Sequence, residues 1–289
     1  MILVTGATGH LGGAVVDFLL KKVAADQVAV LVRDAAKAAD LAEKGVSVRV
    51  GNYHDKASMV QAFQGVDTLL LVSTSDLDDR VGQHLNVINA AKEAGVTRVV
   101  YTGVTMQNID QSPLKDFMGE HFETEENLKK SGLTYTFLRN SLYADVLPMF
   151  FGPGVLETGI FLPAGQGRVP YATRENMAEA AANVLAGDGH DNQTYELVNT
   201  ESWSMDDAAA ILSELAGKSI TYTDAPNDVY TNVLTNAGVP EGAIGFTIGF
   251  ANAIGKNDFD LPGDTLTQLL GRKPASLRDY LQTTYFGGK

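Results

Sequence analysis

Three glycines near the N-terminus, Gly6, Gly9 and Gly12, follow the apolar run Ile2–Thr5 at G-x-x-G-x-x-G spacing. Apolar periodicity resumes at Ala14, Val15, Phe18 and Leu19. The order is strand, tight turn, helix, an arrangement suited to a dinucleotide pyrophosphate. The chain should turn sharply at Gly6, and a Cβ at Gly9 would hold the pyrophosphate away. Gly12 should let the helix pack close on the strand. Thr8, His10 and Leu11 complete the loop, with His10 contributing through its backbone. The helix start then offers unpaired N–H groups and a positive dipole end. The chain holds 29 glycines, so the position of this triplet between strand and helix carries the reading.

The second chemical landmark is Arg33, which closes the apolar stretch 27–32 (QVAVLV) about twenty residues beyond the glycines. An acid at such a strand end binds a ribose 2′-hydroxyl, whereas a base accommodates a 2′-phosphate. The planar fork of Arg33 suits phosphate and favours NADP(H) over NAD(H). Asp34 follows directly. It either reaches the ribose or caps a helix beginning near Ala36.

These residues need a frame. At 289 residues the chain is long enough for one large α/β domain or a nucleotide domain with an appendage. Its apolar fraction of 45% is that of a globular protein. The formal charge of −13 argues against nucleic acid and anionic membrane as partners. The absence of cysteine excludes disulfides, thiolate nucleophiles and Cys-ligated metals. No signal peptide precedes the first strand and no apolar run reaches membrane-spanning length, so a cytoplasmic protein is expected.

Strand and helix alternate through the first 140 residues. Strands are predicted at Ile2–Thr5, 27–32, 46–50, 67–72, 98–102 and 134–138, with helices near 12–22, 56–63, 79–94 and 115–131. This pitch predicts an α/β fold with a Rossmann-type doubly wound parallel sheet. The nucleotide should cross the carboxyl ends of the strands. Ser73, Thr74 and Ser75 follow the fourth strand, Thr102 and Gly103 end the fifth, and Asn140 ends the sixth. Each is thereby placed against the cofactor, with Asn52 and Tyr53 flanking the adenine. Residues 1–140 form the predicted dinucleotide-binding core. Residues 141–289 form mainly a small C-terminal α/β substrate cap, with some segments returning to the core. Residues 143–167 read as a largely irregular loop with a short strand near 159–162. A helix is predicted over 175–186, a strand near Gln193–Leu197, and a helix capped by Ser204 running to Leu215.

With these landmarks placed, the chain resembles an atypical short-chain dehydrogenase of the NmrA-like group. It is most similar there to NAD(P)H-dependent quinone reductases and triphenylmethane-dye reductases. The resemblance rests on TGATGHLGG (5–13), LVRD (31–34), YTG (101–103), HFETE (121–125), SGLTYTFLRNSLY (131–143) and NVLTNAGVPE (232–241). It implies a Rossmann core, bound NADP(H) and reduction of quinone-like aromatic acceptors, and it leaves a homodimer open. An NmrA-like sensor that binds NADP(H) without turnover would use the same glycines and cap. Such a sensor would have no closed pocket over the nicotinamide.

The Tyr-x-x-x-Lys pair of ordinary short-chain dehydrogenases is missing. Among the ten tyrosines only Tyr285 has a lysine four residues later, in a glycine-containing tail. A related ether-reductase branch carries a lysine at the position that resembles His121. The resemblance therefore puts His121 near the nicotinamide or substrate, either as a hydrogen-bond or proton donor or as a lining residue. A quinone is already a strong hydride acceptor, so alignment of the two partners can suffice. Tyr143, Leu147, Met149, Phe150 and Phe151 could form a flat pocket for an aromatic acceptor, or pack the cap on the core. His54, His84 and His190 are dispersed, Trp203 reads as structural, and no metal-binding spacing is present.

Overall fold

The computed structural model describes residues 1–74, 76 and 78–287. Along the first half run β1 (Ile2–Thr5), α1 (His10–Leu19), β2 (Val28–Val32), α2 (Ala39–Glu43), β3 (Ser47–Val50), α3 (Lys56–Ala62), β4 (Thr68–Leu71), α4 (Arg80–Ala94), β5 (Arg98–Val104), α5 (Lys115–Ser131) and β6 (Thr134–Asn140). The second half holds α6 (Leu147–Phe151), α7 (Val155–Thr158), β7 (Ile160–Phe161), α8 (Arg174–Ala186), β8 (Gln193–Leu197) and α9 (Met205–Ala216). It ends in β9 (Tyr222–Thr223), α10 (Asn227–Asn236), α11 (Glu241–Gly255), α12 (Thr265–Leu270) and α13 (Leu277–Phe286).

Among the described residues the main sheet has seven parallel strands in the order β3-β2-β1-β4-β5-β6-β8. The chain winds outward from β1 in one direction and from β4 in the other. This reversal opens a crevice at the carboxyl ends of β1 and β4. Strand β2 is buried along its whole length, as helices on both faces require. On one face Leu3, Ala29, Leu69, Val99 and Phe137 pack with side chains of α3, α4 and α5. On the other, Val4, Val30, Leu70, Val100 and Leu138 pack with α1, α8 and α12. This is the expected Rossmann-type sheet. A third apolar cluster joins Val104 at the end of β5 to α6, α9, α11 and α13 and to the small parallel pair β7–β9.

The stretch 143–167 differs from the irregular loop expected of it. It forms helices α6 and α7, and the expected short strand follows as β7. The reason is burial: Leu147 and Val155 are completely buried, and Phe150 and Phe151 nearly so. Pro148 sits in the first turn of α6, where its missing N–H costs nothing. Gly152 (φ +76°) and Gly159 (φ +78°) end the two helices in a conformation that L side chains avoid. The Ser204 capping box with Asp207 forms as its sequence suggests. Trp203 exchanges backbone hydrogen bonds with Val169 at 2.9 and 3.0 Å.

The distinctive motifs HFETE and SGLTYTFLRN meet in the interior. Arg139 on β6 donates from Nε and Nη2 to the two carboxylate oxygens of Glu125 on α5, at 2.8 and 2.6 Å. Its Nη1 reaches Glu196 on β8 at 3.0 Å. Glu125 is only 2% exposed, so its charge depends on this guanidinium. Arg139→Met should leave Glu125 buried without a counter-charge and lower unfolding stability by about 3–5 kcal/mol. Urea denaturation checks this, and an unchanged midpoint would show the pair to be dispensable.

Candidate active site

The glycine turn is built from backbone contacts alone. Gly6 adopts φ +61°, and the Gly9 N–H donates to the Gly6 carbonyl at 2.9 Å. A Cβ on Gly12 would lie 2.3 Å from that same carbonyl oxygen. The close approach is therefore to the turn itself rather than to the strand body, and only glycine fits. Helix α1 starts at His10, slightly earlier than expected, and Gly9 caps it without a side chain. Its first N–H groups are thus left for a ligand.

A cleft of about 590 Å³ runs over this turn. Gly6, Thr8, Gly9, His10, Leu11 and Gly12 line it from one side, and Arg33, Asn52 and Tyr53 from the ends of β2 and β3. Arg33 is exposed. Asp34 does not line the cleft: its carboxylate accepts the Ala36 N–H at 3.0 Å and caps the short turn that follows. The Tyr53 hydroxyl is held by Thr5 Oγ1 at 2.5 Å and the Val72 carbonyl at 3.0 Å. This ties the ends of β1, β3 and β4 together beneath the cleft.

A second cavity of about 350 Å³ adjoins the first. Leu11, Val72, Ser73, Thr74 and Arg174 line both. Of the residues expected from sequence, Thr102, Gly103, His121, Asn140, Tyr143, Met149 and Phe150 line this second cavity. Phe151 does not. It is buried with Leu147 in the neighbouring apolar cluster, because adjacent residues on a short helix face different ways. Ser75 lies outside the described residues. Phe117, Phe246, Phe250 and Arg174 line the cavity without having been anticipated. The signal for Phe246 and Phe250 was their i,i+4 spacing in a helix. Arg174 gave no local signal, because α8 reaches the site only through its crossover to β8.

Hydrogen bonds fix the walls. Thr102 Oγ1 accepts the Ser73 N–H at 3.0 Å. Asn140 Nδ2 donates to the Tyr143 hydroxyl at 2.8 Å, while the buried Asn140 Oδ1 has no partner among the described residues. The Arg174 guanidinium lies 4.6 Å from the centre of the Tyr143 ring. His84, fully buried, accepts the Thr74 N–H at Nε2 (3.2 Å) and contacts Thr124 Oγ1 through Nδ1 (2.9 Å). With Nε2 accepting, Nδ1 carries the ring proton. His121 Nδ1 lies 2.8 Å from the Tyr101 hydroxyl. Burial, aided by the nearby Arg80 guanidinium, pushes both imidazoles down to about 3. His121 is consequently neutral near pH 7 and offers a hydrogen bond there rather than an acidic proton. Burial raises the Tyr101 phenol. Among the described residues no group of three His, Asp or Glu side chains is arranged to hold a metal.

Residues 1–279 match the NmrA-like family. The chain belongs to that family. It is 39% identical to quinone oxidoreductase 2 of Escherichia coli (strain K12), over 96% of each chain. Among solved structures, the Citrobacter sp. triphenylmethane reductase complexed with NADP(H) superposes with a TM-score of 0.90 at 37% identity. That match covers 98% of this chain and 99% of the other. The NADPH complex of the NADPH-dependent quinone oxidoreductase from Escherichia coli gives the same TM-score and identity, covering 99% and 100%.

Within this NmrA-like chain the two depressed imidazoles link stability to pH. The unfolded chain binds a proton on each ring below about pH 6.5, whereas the folded chain does so only near pH 3. Stability should therefore fall as pH drops from about 6.5 toward 3, by up to about 1.4 kcal/mol per pH unit for each ring. His84→Gln preserves one donor and one acceptor and should make this slope shallower by about one proton. Urea unfolding at several pH values measures the slope, and an unaltered slope in the variant would refute the assignment.

Proposed function

We propose that this chain is an NADPH-dependent reductase that transfers hydride to a quinone, dye or similar conjugated acceptor. The observation that carries the reading is the junction of the two cavities. A cleft over a glycine turn opens, at Ser73, Thr74 and Arg174, into a pocket walled by Phe117, Phe150, Phe246 and Phe250. A cofactor lying along the first and entering the second at Thr102, Gly103 and Asn140 would meet a flat acceptor there. The sensor alternative called for no closed pocket over the nicotinamide, and the aromatic-walled cavity adjoining the cleft supports the reductase reading instead.

The residues present fit a dinucleotide. The Gly12 position admits no Cβ, α1 begins with free N–H groups, and the buried Asn140 Oδ1 awaits a donor. The bound nicotinamide would supply the hydride. The turn at Gly6–Gly12 would hold the pyrophosphate, with Thr8 beside it. Arg33 would take a 2′-phosphate, since Asp34 is engaged with Ala36. Ser73, Thr74, Thr102, Gly103 and Asn140 would orient the remainder. Tyr143, Met149 and Phe150 would form the acceptor site with the phenylalanines of α5 and α11. On this reading residues 1–140 serve mainly the cofactor and residues 141–289 mainly the substrate, with α8 and β8 returning to the sheet. The proposed compartment is the cytoplasm, which suits a cysteine-free chain. No proton donor is required of the protein, because a reduced quinone anion can take its proton from water.

The direct test follows absorbance at 340 nm with NADPH, then NADH, on adding simple quinones and a triphenylmethane dye. Rapid NADPH loss is expected, and tight binding without turnover across the panel would overturn the reading. Arg33→Ala should weaken NADPH binding about 10- to 100-fold more than NADH binding, the loss of a charge-assisted contact. Equal weakening of both would reject the role of Arg33.

A further inference from the structure

His121 lines the acceptor pocket with an imidazole whose Nδ1 is in contact with a buried tyrosine hydroxyl. We propose that the pocket is built for neutral carbonyl acceptors, with His121 Nε2–H holding the oxygen that becomes negative and Tyr101 fixing the imidazole tautomer. This inference rests on the reductase reading and narrows its substrate class.

The argument begins beneath the pocket. Tyr101 is completely buried on β5, and its hydroxyl lies 2.8 Å from His121 Nδ1. The neighbouring hydroxyl of Thr124 is already committed. It donates to the Glu120 carbonyl at 2.9 Å and receives the proton-bearing Nδ1 of His84. The Thr124 and Ser73 side chains also lie beside the Tyr101 hydroxyl, and its 2.8 Å contact with His121 Nδ1 is the one that links it to the pocket lining. Burial keeps the phenol protonated, so it donates to Nδ1. The ring proton of neutral His121 is then on Nε2, which has no protein partner among the described residues, and His121 lines the pocket. Arg80, only 3% exposed, secures the helix that carries His121. It donates to the Phe117 carbonyl at 2.8 Å and pairs with Glu120 at 3.1 Å.

The charge of the lining supports the same class. Among the described residues no carboxylate lines this pocket, and Arg174 is its one charged group. Arg174 is itself paired with Asp145 at 3.7 Å, and Asp145 does not line the pocket. A cationic acceptor would lose hydration without gaining a counter-charge. A neutral quinone gains a donor that strengthens as charge develops. A bound reduced nicotinamide would supply the hydride, with its electron pair, that takes the quinone to the hydroquinone monoanion, and water would supply the remaining proton. His121 keeps its proton throughout. A cationic triphenylmethane dye accepts hydride on carbon and becomes neutral, so it develops no oxyanion for His121 to hold.

The test compares 1,4-naphthoquinone with crystal violet under NADPH saturation, alongside 15N NMR of the histidine rings. The wild-type spectrum should show His121 as the Nε2–H tautomer. Tyr101→Phe should weaken that preference, and both Tyr101→Phe and His121→Leu should lower kcat for the quinone relative to kcat for the dye. For His121→Leu the ratio should fall about 10- to 100-fold, somewhat below the loss of a dedicated oxyanion donor because the product anion is delocalised. His121→Gln, which keeps a donor, should restore part of the ratio. An Nδ1–H tautomer in the wild type, or equal losses on both acceptors, would overturn the proposal. So would a wild type that reduces the dye and not the quinone. A wild type that binds NADPH and reduces neither acceptor would instead defeat the reductase reading.

Discussion

The buried ion pair between Glu125 and Arg139 is the constraint on which the acceptor site depends. Arg139 holds Glu125 in two parallel hydrogen bonds, locking α5 against β6. Helix α5 carries Phe117, Met118 and His121 to the pocket, and β6 delivers Asn140 one residue beyond Arg139. A carboxylate with 2% exposure tolerates little displacement from its counter-charge. The pair thus sets the separation of the His121 and Asn140 walls without touching the pocket itself. Arg80 adds a second buried attachment between α4 and α5.

The cofactor cleft follows a different principle. Its floor is backbone, and its shape is set by the absence of side chains at Gly6, Gly9 and Gly12. Its charge selectivity comes from helix N–H groups and Arg33, so a chain with net charge −13 can still receive an anionic dinucleotide. Field at the site and charge over the whole surface are separate quantities. The tie from Tyr53 to Thr5 and Val72 joins three strand ends beneath the cleft, so the floor is rigid where the ligand would press on it.

The pocket illustrates how burial changes the chemistry of a residue. An imidazole in water titrates near neutrality, whereas here burial and Arg80 keep His121 neutral across the physiological range. The side chain is thereby converted from an acid into an oriented dipole. That suits acceptors whose reduction is driven by their own electrophilicity. It also gives the missing Tyr-x-x-x-Lys pair a physical context, because the reaction proposed here has no need of a strong acid.

Much of the fold and of the cofactor cleft was legible in the sequence because both rest on local rules. Strand, glycine turn and helix are short-range patterns, and the alternation of β1 through β6 carries its own periodicity. Arg33 and the glycines fall at positions defined by those elements. For Asp34 the sequence leaves ribose contact and helix cap open, and the Ala36 N–H on its carboxylate decides for the cap. The stretch that forms α6 and α7 reads as a loop because Gly and Pro signal a break locally, while a distant apolar cluster rewards helical burial. Arg174, Phe246 and Phe250 join the pocket from α8 and α11, more than thirty residues beyond β6 in the sequence. The sequence by itself determined the winding of the sheet, the phosphate turn and the class of cofactor. Only the tertiary structure decided which aromatic side chains meet and which imidazole stays neutral, because both depend on packing between elements with no local sequence relation.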